Sequence, residues 1–133
     1  MFTTTAVSSP IPIDYAHALT IVDGDQDLLQ EIIYIFLADY PQQMNALRQA
    51  AAAQNAHNVR RAAHRLKGGL GHIGSHHAYQ LAYKIELMGA NDNLAAVAPE
   101  IAALSSEIED VVNFLSQSDW LAQASTATGV PHE

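Results

Sequence analysis

No cysteine occurs in the 133 residues, which excludes a disulfide framework, a thiolate metal site and a cysteine nucleophile. Runs of about 18 apolar residues are missing too, so no membrane insertion is expected. Hydrophobic residues nonetheless make up 49% of the chain, enough for the core of one ordinary domain. Positive charge is scarce: six Lys and Arg stand against 14 Asp and Glu, for a net charge of −8. So acidic a chain is a poor nucleic-acid binder. The start, Met1 to Pro12, has neither the basic end nor the apolar stretch of a signal peptide. A cytoplasmic location fits these absences. Residues 1–12 read as a flexible leader, and residues 122–133, small and polar, as a disordered tail.

The little basic charge that exists is concentrated. Arg60, Arg61, Arg65 and Lys67 are four of the six cations, and no acidic residue lies between Asp39 and Glu86. His64 sits inside this basic spot. A spot of that size suits a single phosphoryl group or an acidic patch on a partner; a solvated helix face is the plain alternative.

Apolar residues recur at helical spacing along nearly the whole chain, and no stretch alternates as a strand does. Ile13 to Leu19 reads as a short first helix, and Asp23-Gly24-Asp25 as a turn and helix start. Leu28, Leu29, Ile32, Ile33, Phe36, Tyr40, Met44 and Leu47 then form one stripe reaching Ala53. Pro41 is expected to bend that helix without ending it, because the stripe resumes in phase. Asn55 is a candidate N-cap for a second long helix running to Ile73. Gly74-Ser75 reads as a stop followed by a new cap, and Ala78, Leu81, Ala82, Ile85 and Met88 mark the next helix. Gly89 to Asn93 reads as a turn. Leu94, Val97, Ile101, Leu104, Ile108, Val111 and Leu115 mark the last helix, with Pro99 either a kink or the start of its regular part. Long amphipathic helices joined by short links pack antiparallel. The expected fold is therefore all-α, an up-and-down antiparallel four-helix bundle with a short additional N-terminal helix, over residues 13–121.

The segment from His57 to Ile73 carries the chemistry. At about 100° per residue, Val59, Ala62, Leu66, Gly69, Leu70 and Ile73 share a core-facing side. His57, Arg60, Arg61, Lys67, Gly68 and Gly71 lie within about 60° of His64 on the other side, so His64 points away from the interior. Glycine inside a helix costs about 1 kcal/mol against alanine. At Gly68, one turn beyond His64, that cost has a use, because a side chain there would lean back over the imidazole. A tolerated surface glycine is the alternative. A ring nitrogen free of its proton is the nucleophile that phosphoryl transfer requires, and Lys67, one turn away, can neutralise phosphoryl oxygens. Gly68-Gly69-Leu70-Gly71 is no P-loop, since it lies on a helix with no preceding strand and no Gly-Lys-Ser/Thr ending.

These residues match a known pattern. Ala63-His64-Arg65-Leu66-Lys67-Gly68-Gly69, then Ile73-Gly74, then Leu81, Ile85 and Glu86 resemble the signature of histidine-containing phosphotransfer (HPt) domains. In that signature a histidine precedes hydrophobic-Lys-Gly, then hydrophobic-Gly, then a Leu-rich helix ending in Glu or Gln. The resemblance extends from Asp14 to Leu115. It implies that His64 is phosphorylated through Nε2, that Lys67 contacts the phosphoryl group and that Gly68 clears its access. Glu86 is implied to accept a hydrogen bond from Nδ1–H. The implied partners are receiver domains of response regulators or of a hybrid sensor kinase. They supply the donor and acceptor aspartates and hold the Mg²⁺, while this chain, a monomer, needs no cofactor and has no kinase activity of its own. Arg65 stands where the family commonly has Ser or Thr, and Arg60 and Arg61 add further charge. These departures point to support of the phosphoryl site and to partner choice.

Three alternatives share the helical pattern. Seven histidines, with His72 and His76 four apart and His57 and His64 seven apart, raise a metal-binding bundle, although the Glu-x-x-His pairs of di-iron bundles are absent. A phosphoacceptor or chemotaxis-type histidine domain of a kinase is the second, and a purely structural adaptor the third.

Overall fold

The computed structural model describes residues 12–117 together with 120 and 121; both terminal segments read above as leader and tail fall almost entirely outside that range. Five helices follow one another among residues 12–117: α1 (Tyr15–Ile21), α2 (Gln26–Ala52), α3 (Ala56–His72), α4 (His76–Ala90) and α5 (Val97–Leu115). Among the described residues there is no strand, and no helix is long and apolar enough to cross a membrane.

Short polar side chains set three of the helix starts. Asp14, Asp25 and Asn55 accept from the backbone N–H of His17, Leu28 and Asn58, each satisfying a donor that the first helical turn leaves unpaired. Capping by Asp14 explains why α1 begins at Tyr15 rather than at Ile13, whose side chain goes into the core instead. Ser75 occupies the cap position of α4 but makes no side-chain capping bond and is itself buried. The turn before it depends on Gly74, in the left-handed region at φ 74°. Its carbonyl accepts from Asp14 N–H at 2.7 Å, and a Cβ there would collide with the Asp14 carbonyl. Only glycine suits both demands.

Pro41 lies within α2 and does not end it; the position is exposed, so the carbonyl its missing N–H leaves open can bond water. Pro99 falls in the first turn of α5, where N–H groups have no intrahelical partner anyway. Leu94 precedes that helix instead of opening it.

The links between α2 and α3 and between α3 and α4 are three residues each, 53–55 and 73–75, so neighbouring helices run antiparallel. α3 packs on α2 and most extensively on α4; α4 packs on α5, and α5 closes the ring against α2. Leu29, Phe36 and Leu47, then Val59, Leu66 and Leu70, then Ala78, Ala82 and Ile85, then Ile101, Leu104, Ile108 and Val111 fill the centre. Each large apolar side chain buried there contributes about 1.5–3 kcal/mol before entropy is counted. The outcome is the expected all-α bundle with α1 as an additional short helix.

Gly89 departs from expectation. It lies inside α4, buried, where a Cβ would come within 2.7 Å of Arg60 N and 2.8 Å of the Ala56 carbonyl oxygen. The absence of a side chain lets α4 approach the backbone of α3 closely, one turn from the site described next.

Candidate functional site

His64 lies midway along α3 with its side chain 63% exposed. Its neighbours Ala63 and Leu66 are fully buried, so the core fixes the helix and leaves the imidazole projecting. Across the α3/α4 seam, Glu86 Oε2 lies 3.0 Å from His64 Nδ1. The other carboxylate oxygen, Oε1, lies 2.8 Å from Lys67 Nζ. Oε1 is closed off from solvent and has no aligned hydrogen-bond donor, so its contact with the ammonium is an ion pair.

Charge and burial compete at Glu86. Burial works to raise its carboxyl pKa, but the Lys67 and His64 contacts outweigh it and hold the group below the ordinary carboxylate range. Lys67 is raised above its ordinary value, chiefly by the Glu86 contact. Both groups are therefore ionised at neutral pH. A carboxylate facing Nδ1 favours the tautomer with the proton on that nitrogen. Nε2 is then the ring atom with a free lone pair, and it has no partner among the described residues.

The expected site residues fall into two groups. His64, Lys67 and Glu86 are in mutual contact on the α4 side. Lys67, expected on the open face, is only 17% exposed. Arg61 and Arg65 lie on the opposite flank, along a groove between α2 and α3 shared with Asp39, Gln42 and Gln43. That division follows from about 100° of turn per residue, which puts Arg61 and Arg65 on one side of His64 and Lys67 on the other. Arg60 is exposed beside the seam. None of the three arginines makes an ion pair among the described residues.

The glycines of α3 also separate. A Cβ at Gly68 would meet nothing within 4 Å, so no internal packing accounts for it and the space beside His64 stays open. Gly71 differs from its expected place on the open face: the Tyr79 ring would lie 3.3 Å from a Cβ there. Gly69 packs against Phe36.

Tyr79 and Tyr83 were not legible as site residues, yet Lys67 Nζ stands 5.9 Å and 4.8 Å from their ring centroids. The steps of four from Tyr79 to Tyr83 and three from Tyr83 to Glu86 were the available signal, since residues so spaced share a helix face.

The remaining histidines lie away from His64, and the one close pair of them among the described residues, His17 and His76 with ring centroids 5.0 Å apart, meets edge to face. His72 ends α3 and His76 begins α4; His76 pairs with Asp14 and His77 with Glu107. Among the described residues no group of three or more His, Asp or Glu side chains is placed to hold a metal ion.

A family model described as Hpt domain matches residues 31–114, a span holding every residue of the His64 site. No curated protein and no solved structure matches the chain.

Proposed function

Since the chain belongs to the Hpt domain family, whose members serve phosphotransfer in two-component signalling, we propose that it carries a phosphoryl group on His64 Nε2 between aspartates of receiver domains. The observation that supports this most is the exposed imidazole whose Nδ1 faces the Glu86 carboxylate. The Nε2 lone pair attacks the phosphorus of an aspartyl phosphate on the partner. The N–P bond forms as the P–O bond to the aspartate breaks, and the aspartate leaves as a carboxylate. No proton has to be lost from the attacking nitrogen. The positive charge that develops on the ring is matched by Glu86, 3.0 Å from Nδ1, a charge-assisted contact that strengthens as the reaction proceeds. Transfer onward reverses these bonds and returns the neutral ring.

Lys67 supplies the cation for the phosphoryl oxygens, and Gly68 leaves room for the partner loop that bears the aspartate. Arg60 and Arg61 support the site at longer range, while Arg61 and Arg65 offer charge to the partner's surface. Mg²⁺ belongs to the receiver's own acidic site. On this reading the protein is a cytoplasmic monomer and a phosphocarrier, and its partners are receivers of response regulators or of a hybrid sensor kinase.

The test is transfer from radiolabelled phospho-receiver domains, with Mg²⁺ and without ATP. Acid-labile, base-stable label appearing on the protein is expected. Labelling that requires ATP and a kinase, and never a phospho-receiver, would contradict the relay role.

A further inference from the structure

Lys67 is held on three sides by one face of α4. Its Nζ lies 2.8 Å from Glu86 Oε1, 4.8 Å from the Tyr83 ring centroid and 5.9 Å from that of Tyr79. The two tyrosines differ in what else they do. Tyr79 is half-buried, packs on the core and covers Gly71, so packing accounts for it. Tyr83 is 41% exposed and its hydroxyl has no hydrogen bond among the described residues. The ammonium, closer to its ring than to that of Tyr79, is the contact left to account for Tyr83.

Building on the phosphocarrier reading, we infer that Tyr83 is a positioning residue, whose ring holds the Lys67 ammonium beside His64 both before and after the phosphoryl group arrives. Lys67 has a flexible four-carbon stem, and an ion pair with Glu86 alone would leave its head free to follow whichever anion is nearer. A ring face attracts the cation through its quadrupole yet carries no net charge. It therefore orders the ammonium without competing for it as a second carboxylate would. When phosphoryl oxygens appear at Nε2, the ammonium turns from Glu86 Oε1 toward them while staying over the ring. Glu86 keeps Nδ1 through Oε2.

The first measurement uses the unphosphorylated protein. The Glu86 carboxyl carbon is followed by NMR through acid titration in wild type, Tyr83→Phe and Tyr83→Leu. Phenols are neutral in this range, so Lys67 and His64 are the charges facing the carboxylate. In Tyr83→Leu the Lys67 head loosens and the Glu86 midpoint rises by about 0.3–0.7 pH unit, the equivalent of a two- to fivefold weaker hold. Tyr83→Phe, which keeps the ring, stays at the wild-type midpoint.

The second measurement is the rate of His64 phosphorylation by phosphoramidate, a small donor that needs no docking surface. Tyr83→Leu is expected to slow it about two- to fivefold and Tyr83→Phe to leave it unchanged. In a Lys67→Met background Tyr83→Leu should cost nothing further, because the ring acts through Lys67. An unmoved Glu86 midpoint in Tyr83→Leu, or equal slowing with and without Lys67, overturns the inference. A shifted midpoint with no label on His64 in the wild type would retain the clamp and overturn the phosphocarrier reading instead.

Discussion

Glu86 Oε2 stands 3.0 Å from His64 Nδ1 across the seam between α3 and α4, while its other oxygen faces the Lys67 ammonium. One carboxylate thus meets both the exposed imidazole and the neighbouring ammonium. Replacing it separates those contacts. Glu86→Gln retains a hydrogen-bond acceptor for Nδ1 but loses the charge, and about tenfold slower transfer is expected from the weaker match to the developing imidazolium. Glu86→Ala should be slower still, because Nδ1 then lacks any partner. Single-turnover transfer rates with helicity as control check both; equal rates for Gln and wild type would remove the charge from the argument.

Two glycines give opposite expectations. At Gly89 a Cβ would crowd the Arg60 and Ala56 backbone, so Gly89→Ala should push α4 off α3, destabilise the fold by about 1–3 kcal/mol and slow transfer by opening the Glu86–His64 contact. At Gly68 a Cβ meets open space, so Gly68→Gln should stabilise the helix by about 0.5–1 kcal/mol while blocking the partner. Denaturant unfolding and transfer rate, measured on both, separate the two; a Gly68→Gln protein that accepts phosphoryl normally contradicts the access role.

Acid should weaken the fold through two carboxylates. Asp14 is lowered chiefly by the backbone hydrogen bond from His17, with His76 adding to it. At Glu86 burial pulls upward but is outweighed by Lys67 and His64. Each group binds protons more weakly when folded. Its stabilisation is therefore complete above the unfolded values, near pH 4, and is lost as pH falls through the lower folded values. Denaturant midpoints from pH 6 to 2 should fall on acidification, and the fall should be shallower in Glu86→Gln.

The arginine flank should govern affinity rather than chemistry. With Arg61 and Arg65 side by side along the α2/α3 groove and in no ion pair among the described residues, the double change Arg61→Glu, Arg65→Glu should raise KM for an acidic receiver about tenfold or more with kcat little changed. The wild-type dependence of KM on salt should flatten in parallel. A change confined to kcat would place these arginines in the chemical step.

Much of this was readable from the sequence because it depends on local chemistry. Asp25 and Asn55 announce helix starts by side-chain type, and the apolar period of α3 by itself directs His64 outward. What was hidden depends on which helices become neighbours. Gly89 resembles a turn residue until α3 lies against it, and Gly71 looks open until Tyr79 covers it. Lys67 reads as a free surface cation until Tyr83 and Glu86 close around it. Ser75 shows the limit in reverse, having the right residue type for a cap yet being buried without a side-chain capping bond.

The central claim is that His64 Nε2 carries the phosphoryl group while Glu86 keeps the proton on Nδ1. Long-range nitrogen–proton and phosphorus-coupled NMR of the protein, ¹⁵N-labelled at histidine and phosphorylated by a receiver domain, tests it directly. One phosphohistidine is expected, at His64, with phosphorus coupled to Nε2 and a proton on Nδ1, and none in His64→Gln. Phosphorus on Nδ1, or on another histidine with His64→Gln labelled as fully as wild type, would contradict the account.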